Sequence, residues 1–149
     1  MGKVCAFFGH RDAYTASDSL IESNVRQLID RGVSSFWCGG YGKFDAKCAH
    51  VVHGLKRDYP EMELVFILPY LTGSRFYEPD FYDAVLFPEG LEAVPPRFAI
   101  ARRNQWMVKN SDIIIAWVDH TWGGAYNTCR IAVKQGKEVI NLAGMAIER

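Results

Sequence analysis

Two adjacent glycines separate an apolar run from a helical pattern in the last third of the chain. Residues 113–118 are rich in β-branched side chains, a pattern typical of a strand that is buried on both faces. Gly123 and Gly124 follow, and a helical pattern then extends as far as Gly136. A glycine turn between a strand and a helix favours phosphate, because the backbone approaches closely and the free N–H groups and the helix dipole attract negative charge. The alternative is a tight connection without a ligand.

A second glycine turn occurs earlier in the chain. Gly39, Gly40 and Gly42 follow a short predicted strand and precede another helical pattern. Three glycines within four residues allow the main chain to approach a phosphate or a ribose closely. Asp45 is expected either to accept hydrogen bonds from ribose hydroxyls or to cap its own helix. The spacing matches neither a Walker loop nor the full dinucleotide motif.

Polar side chains also follow the first predicted strand, at Gly9, His10 and Arg11. An arginine at a strand end can bind phosphate or carboxylate through two parallel hydrogen bonds. We therefore predict that Arg11 contacts a ligand. A histidine there can donate a hydrogen bond to a phosphate or a base edge, or it can simply pack, and both interpretations of His10 stay open.

Other reactive residue types give weaker patterns. Arg102 and Arg103 are adjacent on a predicted helix, so they point in different directions and only one is expected to reach a shared site. His50 and His53 share a helix face, but without an evident third ligand they indicate a solvated face rather than a metal site. No serine–histidine–acid or cysteine–histidine arrangement has sequence support. We predict no catalytic residue and no metal ligand.

Strand and helix patterns alternate along the chain, which positions these residues. Strands are predicted at residues 3–8, 34–37, 64–68, 113–118 and 139–142, and helices at residues 15–30, 43–57, 99–109 and 124–136. Either Thr15 or Ser17 is expected to cap the first of these helices. Alternation of this kind predicts an α/β fold with a parallel sheet and helices on both faces. Ligands bind beyond the carboxyl ends of such strands, so we expect four strand ends to face one crevice. They are at residues 9–11, 39–42, 69–70 and 120–124.

The periodicity fails between residues 70 and 96, where aromatic residues are mixed with four prolines. A structureless loop of this length is unusual in a compact domain. We expect a short helix near residues 80–84, a short strand near residues 85–87 and a loop that leans over the site.

Composition limits the classes of function. With 149 residues, about half of them apolar, we expect one domain over residues 1–149. Lysine and arginine number 17, as do aspartate and glutamate, so the formal net charge is zero. This balance disfavours a protein that coats nucleic acid, because such a protein needs an excess of basic residues. We therefore expect nucleic acid not to be a partner. No run is long enough to cross a membrane, and four scattered cysteines without a Cys-x-x-Cys pair favour the cytoplasm.

Taken together, the motifs resemble those of the SLOG superfamily. This Rossmann-like group includes the Rossmann domain of DNA-processing protein A and the LOG cytokinin-activating phosphoribohydrolases, and the chain is most similar to the small, stand-alone SLOG proteins of bacteria and phages. The segments that carry the resemblance are Phe-Gly-His-Arg at 8–11, Trp-Cys-Gly-Gly-Tyr-Gly-Lys-Phe-Asp-Ala at 37–46, Ala-Arg-Arg-Asn at 101–104 with Ser-Asp at 111–112, and Trp-Gly-Gly-Ala-Tyr-Asn-Thr at 122–128.

The resemblance implies a doubly wound, mostly parallel sheet in three layers (α/β/α), with a nucleotide-derived ligand between the two glycine turns. LOG enzymes carry a catalytic glutamate in the second turn motif, which this sequence lacks. Activity as an N-glycosidic hydrolase of nucleoside monophosphates, with Asp45 or Asp119 as the acid, is therefore an alternative, and binding of single-stranded DNA is another. Whether the chain is an enzyme stays open.

We predict a module that binds a nucleotide or another phosphorylated small molecule, with no cofactor and no membrane partner. Self-association is plausible, since relatives of this fold often pair. The predicted ligand-binding residues are Gly9, His10, Arg11, Gly39, Gly40, Gly42, Asp45, Arg102, Gly123, Gly124 and Thr128.

Overall fold

The apolar runs lie side by side in one parallel sheet. The computed structural model of the chain describes residues 2–13, 15–40, 42–71 and 81–148. Within these ranges the strands are β1 (Lys3–Gly9), β2 (Val33–Cys38), β3 (Glu63–Ile67), β4 (Ala84–Leu86), β5 (Ile113–Trp117) and β6 (Glu138–Asn141). Their order across the sheet is β4-β3-β2-β1-β5-β6, and every pairing is parallel.

Four helices connect these strands: α1 (Asp18–Asp30), α2 (Gly42–Leu55), α3 (Pro96–Asn110) and α4 (Gly124–Lys134). The first helix begins where the sequence predicts, because the Ser17 hydroxyl accepts a hydrogen bond from the Leu20 N–H at 3.0 Å. Pro96 starts α3 earlier than its apolar pattern suggests, since proline fits the first turn of a helix without loss of a hydrogen bond.

The helices cover the sheet on both faces. Apolar side chains of α1 and α2, such as Ile21 and Phe44, pack on one face against Phe7 and Phe36. Buried residues of α3 and α4 pack on the other face against Ile114 and its neighbours. These two separate clusters, with the sheet between them, confirm the three-layer, Rossmann-like α/β fold.

The central strand β1 pairs with β2 on one side and with β5 on the other. From β1 the chain builds outward through β2, β3 and β4, and then returns to place β5 and β6 on the opposite side. Connections from β1 and β5 therefore leave toward opposite faces of the sheet. A crevice opens between such strands at their carboxyl ends, which is the usual ligand site in open α/β sheets.

A side chain from the edge strand holds the chain that leaves β5. The Asn141 amide group accepts from the Val118 N–H at 2.9 Å and donates to the Val118 carbonyl at 2.8 Å. It also donates to the Met145 carbonyl at 2.8 Å. These bonds continue the sheet ladder past the last paired residue and fix the start of the loop that leads to α4.

The aromatic segment differs from the prediction in part. A strand forms one residue earlier than expected, at Ala84–Leu86, and a short 3₁₀ helix forms at Leu91–Ala93. Residues 81–83 are not helical, because Asp83 pairs with β3 through its N–H, which donates to the Leu64 carbonyl, and through its carboxylate, which accepts from the Leu64 N–H. The predicted loop over the site falls largely on residues 72–80, outside the described ranges.

Among the helices of the described ranges, none combines the length and the apolar character that crossing a lipid bilayer requires.

Candidate functional site

A crevice of about 630 Å³ lies at the carboxyl ends of β1 and β5. Its walls come from the strand tips, from the start of α2, from the middle of α3 and from the start of α4. The lining residues are Phe7, Phe8, Gly9, His10, Arg11, Asp12, Gly39, Asp45, Ile100, Arg103, Asn104, His120, Trp122, Gly123, Gly124 and Ala125.

The tip of β1 contributes a buried histidine. The His10 N–H donates to the Trp117 carbonyl at 3.1 Å, which fixes the backbone beside β5. The side chain is only 7% exposed, and its Nε2 has no hydrogen-bond partner within the described ranges. Burial and the neighbouring His120 lower the pKa of His10, against the opposite influence of Asp119 and Asp12. The net shift favours the neutral form of the imidazole.

A second histidine reaches the same place from the tip of β5. The His120 ring stacks on the His10 ring, with centroids 3.4 Å apart and planes 9° apart. His120 Nδ1 lies 2.7 Å from Asp119 Oδ1, and the same oxygen lies 3.6 Å from His10 Nε2. The Trp122 ring is 67% exposed, and its centroid lies 4.0 Å from the centroid of the His120 ring. Two stacked imidazoles, a carboxylate and an exposed indole thus form one wall.

The turn at Gly123 and Gly124 is open toward solvent. Gly123 has a φ of +95°, which favours glycine, and it precedes the first residue of α4. A Cβ placed on either glycine would meet no heavy atom within 4 Å. Because Gly123 has no side chain to cap the helix, the N–H groups of the first turn keep their capacity to bind an anion.

The other glycine turn is packed rather than open. A Cβ on Gly40 would lie 2.4 Å from the Phe66 ring, and one on Gly42 would lie 2.7 Å from the Arg11 backbone. Both residues have positive φ angles, 79° and 88°. Close packing and backbone conformation therefore explain these glycines, and neither lines the crevice.

Arg103 holds this turn in place from α3. It is 2% exposed, and its Nη1 donates to the carbonyls of Gly39 at 2.9 Å and Ile67 at 2.8 Å. Its Nε donates to the Asn104 side chain at 2.9 Å. The guanidinium thereby ties together the ends of β2 and β3. A Cβ on Gly39 would collide with it at 2.8 Å, so this glycine is needed for contact with the arginine.

Arg102, which we predicted as a site residue, lies elsewhere. It is exposed and lines a separate cavity of about 500 Å³ together with Trp106 and Lys109. Adjacent helix positions point about 100° apart, and the burial of Arg103 turns Arg102 away from the crevice. Arg103 is thus the arginine of this pair that reaches the crevice.

The structure brings together seven of the eleven predicted positions: Gly9, His10, Arg11, Gly39, Asp45, Gly123 and Gly124. Gly40, Gly42, Arg102 and Thr128 do not line the crevice. Thr128 is buried on the inner side of α4, one turn beyond the open start of the helix. The strand end at residues 69–70, expected at the same crevice, is also not part of its lining.

The charges that line the crevice are mixed. Arg11 and Arg103 contribute positive charge, whereas Asp12 and Asp45 contribute negative charge. Asp119 adds a further negative charge beside His10 and His120. Phosphate groups would be repelled by these carboxylates. The main chain at the start of α4 favours an anion without carrying a formal charge, so an anion is expected on that side of the crevice.

His120 is a lining residue that sequence analysis did not single out, although its strand end at residues 120–124 was expected at the crevice. His10 and His120 each follow the end of a buried strand, and β1 and β5 are neighbours. The sequence places both ends at one edge of the sheet, but only the strand order shows that they are adjacent. Burial raises the pKa of the Cys129 thiol in α4 to about 12, so this cysteine is not an activated nucleophile.

Comparison with solved structures identifies relatives in fold. DNA processing protein A from Streptococcus pneumoniae superposes with a TM-score of 0.68 and 18% identity, over 99% of this chain and 52% of that chain. DNA processing protein A from Helicobacter pylori superposes with a TM-score of 0.59 and 17% identity, over 93% and 64% of the two chains. The chain therefore spans about half the length of the first relative and less than two thirds of the second.

No protein-family model and no curated protein matches the chain. The structure reported for the Helicobacter pylori protein describes a mode of single-stranded DNA binding. This overturns the expectation that nucleic acid is not a partner, which was drawn from a net charge of zero. Overall charge is a poor guide here because a balanced chain can still place cations locally. The chain has the Rossmann-like fold of DNA processing protein A, in agreement with its resemblance to the SLOG superfamily.

Proposed function

We propose that the crevice binds a nucleotide or a nucleotide-derived small molecule, with a phosphate at the start of α4. The observation that carries this proposal is the open turn at Gly123 and Gly124, where a side chain is absent and space for a ligand is present. The free N–H groups of a helix start and the helix dipole together favour a phosphate at this position.

Other lining residues suit the rest of a nucleotide. Arg11 is exposed at the tip of β1, where its guanidinium can bind a phosphate oxygen pair. The Asp45 carboxylate is a suitable acceptor for ribose hydroxyls. The exposed Trp122 ring offers a face on which a base can stack. The carboxylates, which would repel a phosphate, would thus accept hydrogen bonds from the sugar part of the ligand.

The size of the crevice agrees with such a ligand. Its volume of about 630 Å³ lies within the range of about 300–1,000 Å³ that is usual for small-molecule sites. The apolar part of the lining, which includes Phe8 and Ile100, and a few convergent polar groups are also typical of these sites.

A second candidate function is the binding of single-stranded nucleic acid, with one nucleotide of the strand in the crevice. The specific observation in its favour is the Helicobacter pylori relative, whose structure describes single-stranded DNA binding on this fold. An exposed aromatic ring beside a phosphate site is the arrangement that such proteins use to stack successive bases. Trp122 occupies such a position.

Isothermal titration tests the proposal. The ligands are the four ribonucleoside monophosphates, ribose 5-phosphate, inorganic phosphate and a short oligothymidylate. Saturable binding of a monophosphate, stronger than that of inorganic phosphate, supports the small-molecule site. Binding of the oligonucleotide alone would support the second candidate and contradict the first. Absence of binding to every ligand would refute both.

A base-release assay separates binding from hydrolysis. Chromatography after incubation with each monophosphate measures the free base. Substrate that is bound but unchanged supports a binding module. Release of base together with ribose 5-phosphate at enzymatic rates would instead support the N-glycosidic hydrolase, for which Asp45, in the crevice lining, and Asp119, beside His10 and His120, are the candidate acids.

We further propose that the protein works in a reducing compartment such as the cytoplasm. All four cysteines, at positions 5, 38, 48 and 129, are buried thiols without a disulfide. Unpaired cysteines are the rule where glutathione and thioredoxin keep thiols reduced.

A further inference from the structure

We infer that His10, Asp119 and His120 form a binding site for a divalent transition-metal ion of the zinc class. His10 and His120 line the crevice at the tips of two neighbouring strands, and Asp119 contacts both of them. Within the described ranges, this is the one group of three or more potential metal ligands whose donor atoms converge. The inference stands on these side chains alone and holds whether or not the crevice binds a nucleotide.

The distances between the donor atoms are close to those that one ion requires. All three donor atoms lie within 4.8 Å of one another. Asp119 Oδ1 is 2.7 Å from His120 Nδ1 and 3.6 Å from His10 Nε2. Bonds of about 2.0–2.1 Å from zinc to nitrogen and oxygen place two ligand atoms about 3.3 Å apart in a tetrahedral site. The two observed distances lie on either side of this value.

His10 Nε2 gives independent support for a ligand at this position. The atom is buried, belongs to a residue that lines the crevice and has no hydrogen-bond partner in the described part of the chain. A buried imidazole nitrogen without a partner carries an energetic cost. A metal ion accepts the lone pair of the neutral ring and removes this cost. The His10 backbone, bonded to the Trp117 carbonyl, already holds the residue in position.

The stacked rings predict how the site changes when it is loaded. An ion shared by two imidazoles must lie near the plane of each ring, since each nitrogen lone pair points outward in that plane. The His10 and His120 rings, 3.4 Å apart and almost parallel, must therefore tilt apart. His120 is the ring that moves, because it lies on the more exposed loop and His10 is enclosed.

The donor types decide which metal fits. Two imidazoles and one carboxylate suit zinc, cobalt and nickel, whereas magnesium and calcium prefer oxygen ligands. Three protein ligands also leave a coordination position open, as in catalytic rather than structural zinc sites. Trp122 is exposed beside His120, so a small molecule can approach this side of the cluster from solvent.

Titration of the intact protein with zinc chloride and with cobalt chloride tests the inference. The wild type is expected to bind one zinc ion per chain, and cobalt is expected to give visible absorption bands of a site with nitrogen and oxygen ligands. Asp119→Asn and His120→Ala are each expected to weaken zinc binding at least tenfold. His50→Ala, which removes an exposed imidazole on α2, serves as the matched control and should bind zinc as the wild type does.

Two results would overturn the inference. One is failure of the wild type to bind zinc or cobalt. The other is unchanged zinc affinity in both Asp119→Asn and His120→Ala, which are on the exposed loop and do not depend on the packing of His10. Magnesium gives a further check, because magnesium bound as tightly as zinc would contradict a site with two imidazole ligands.

Discussion

The two glycine turns require glycine for different structural reasons. At Gly40 and Gly42 an added Cβ would collide with a ring or with backbone, so these residues serve packing. At Gly123 and Gly124 an added Cβ would meet nothing within 4 Å. The sequence predicts both turns from the same residue type. It does not separate the packed turn from the open one, because the neighbours that decide this come from distant parts of the chain.

Replacing Gly124 with valine tests the open turn. Gly124 does not have a positive φ, so valine is expected to fit the backbone and to change the free energy of unfolding by less than about 1 kcal/mol. The new side chain would occupy the space in front of the helix N–H groups. Isothermal titration should then show no binding of the nucleotide that the wild type binds.

Gly54→Val is the matched control for this change. Gly54 also has open space around its Cβ position and no positive φ, but it lies near the end of α2, away from the crevice. This variant should bind as the wild type does. Equal affinity of Gly124→Val and the wild type would show that the turn is only a connection.

The two adjacent arginines of α3 should behave differently on replacement. Arg103→Met leaves the carbonyls of Gly39 and Ile67 without their buried donor, and we expect a loss of about 3 kcal/mol in the free energy of unfolding. Arg102→Met changes an exposed side chain and should stay within about 0.5 kcal/mol of the wild type. Urea denaturation measures both, and similar midpoints for the two variants would contradict the assignment.

At the scale of elements, strands and helices were largely predictable because their apolar patterns are local. Residues 113–118 were recognisable as a strand, and the helix after Ser17 by its cap. The short helix expected near residues 80–84 failed because Asp83 pairs with β3, which is a contact between distant segments. The same limitation hid His120, whose role depends on β5 lying beside β1.

The loop between β5 and α4 depends on Asn141. Its side chain bonds both backbone groups of Val118, so Asn141→Ala should lower the free energy of unfolding by about 2 kcal/mol. It should also speed hydrogen exchange at the Val118 amide, because the acceptor of that N–H is removed. Native-state exchange monitored by NMR measures this effect. Asn127→Ala, on the exposed side of α4, is the control, and equal exchange rates in the two variants would refute the role of Asn141.

At the scale of the whole molecule, net charge proved to be the least reliable guide. The composition gives zero net charge, and the expectation drawn from it, that nucleic acid is not a partner, is overturned by the likeness to DNA processing protein A from Helicobacter pylori, whose reported structure describes single-stranded DNA binding. The charge that a ligand meets is set by the few residues that the fold collects at one edge of the sheet. Their collection depends on the strand order, and the sequence pattern predicts a parallel sheet without predicting that order.

The reactivity of the buried cysteines toward a thiol reagent shows whether the whole fold is intact. Burial raises the pKa of the Cys38, Cys48 and Cys129 thiols above the ordinary value of 9.0, in the last case to about 12. A thiol reagent at pH 8 should therefore label no cysteine in the native protein and all four in urea. Because these pKa values are raised, their contribution to stability is present below pH 9 and is lost as the pH rises above it. Rapid labelling of the native protein would contradict the burial.

The most direct test of the ligand site is an NMR titration of the labelled protein with the four ribonucleoside monophosphates. The central claim predicts chemical-shift changes that concentrate at the backbone amides of residues 9–11 and 123–125, at the two tips that form the crevice. Changes that concentrate instead around Arg102 and Lys109, in the separate cavity, or no saturable change with any of the four ligands, would contradict it.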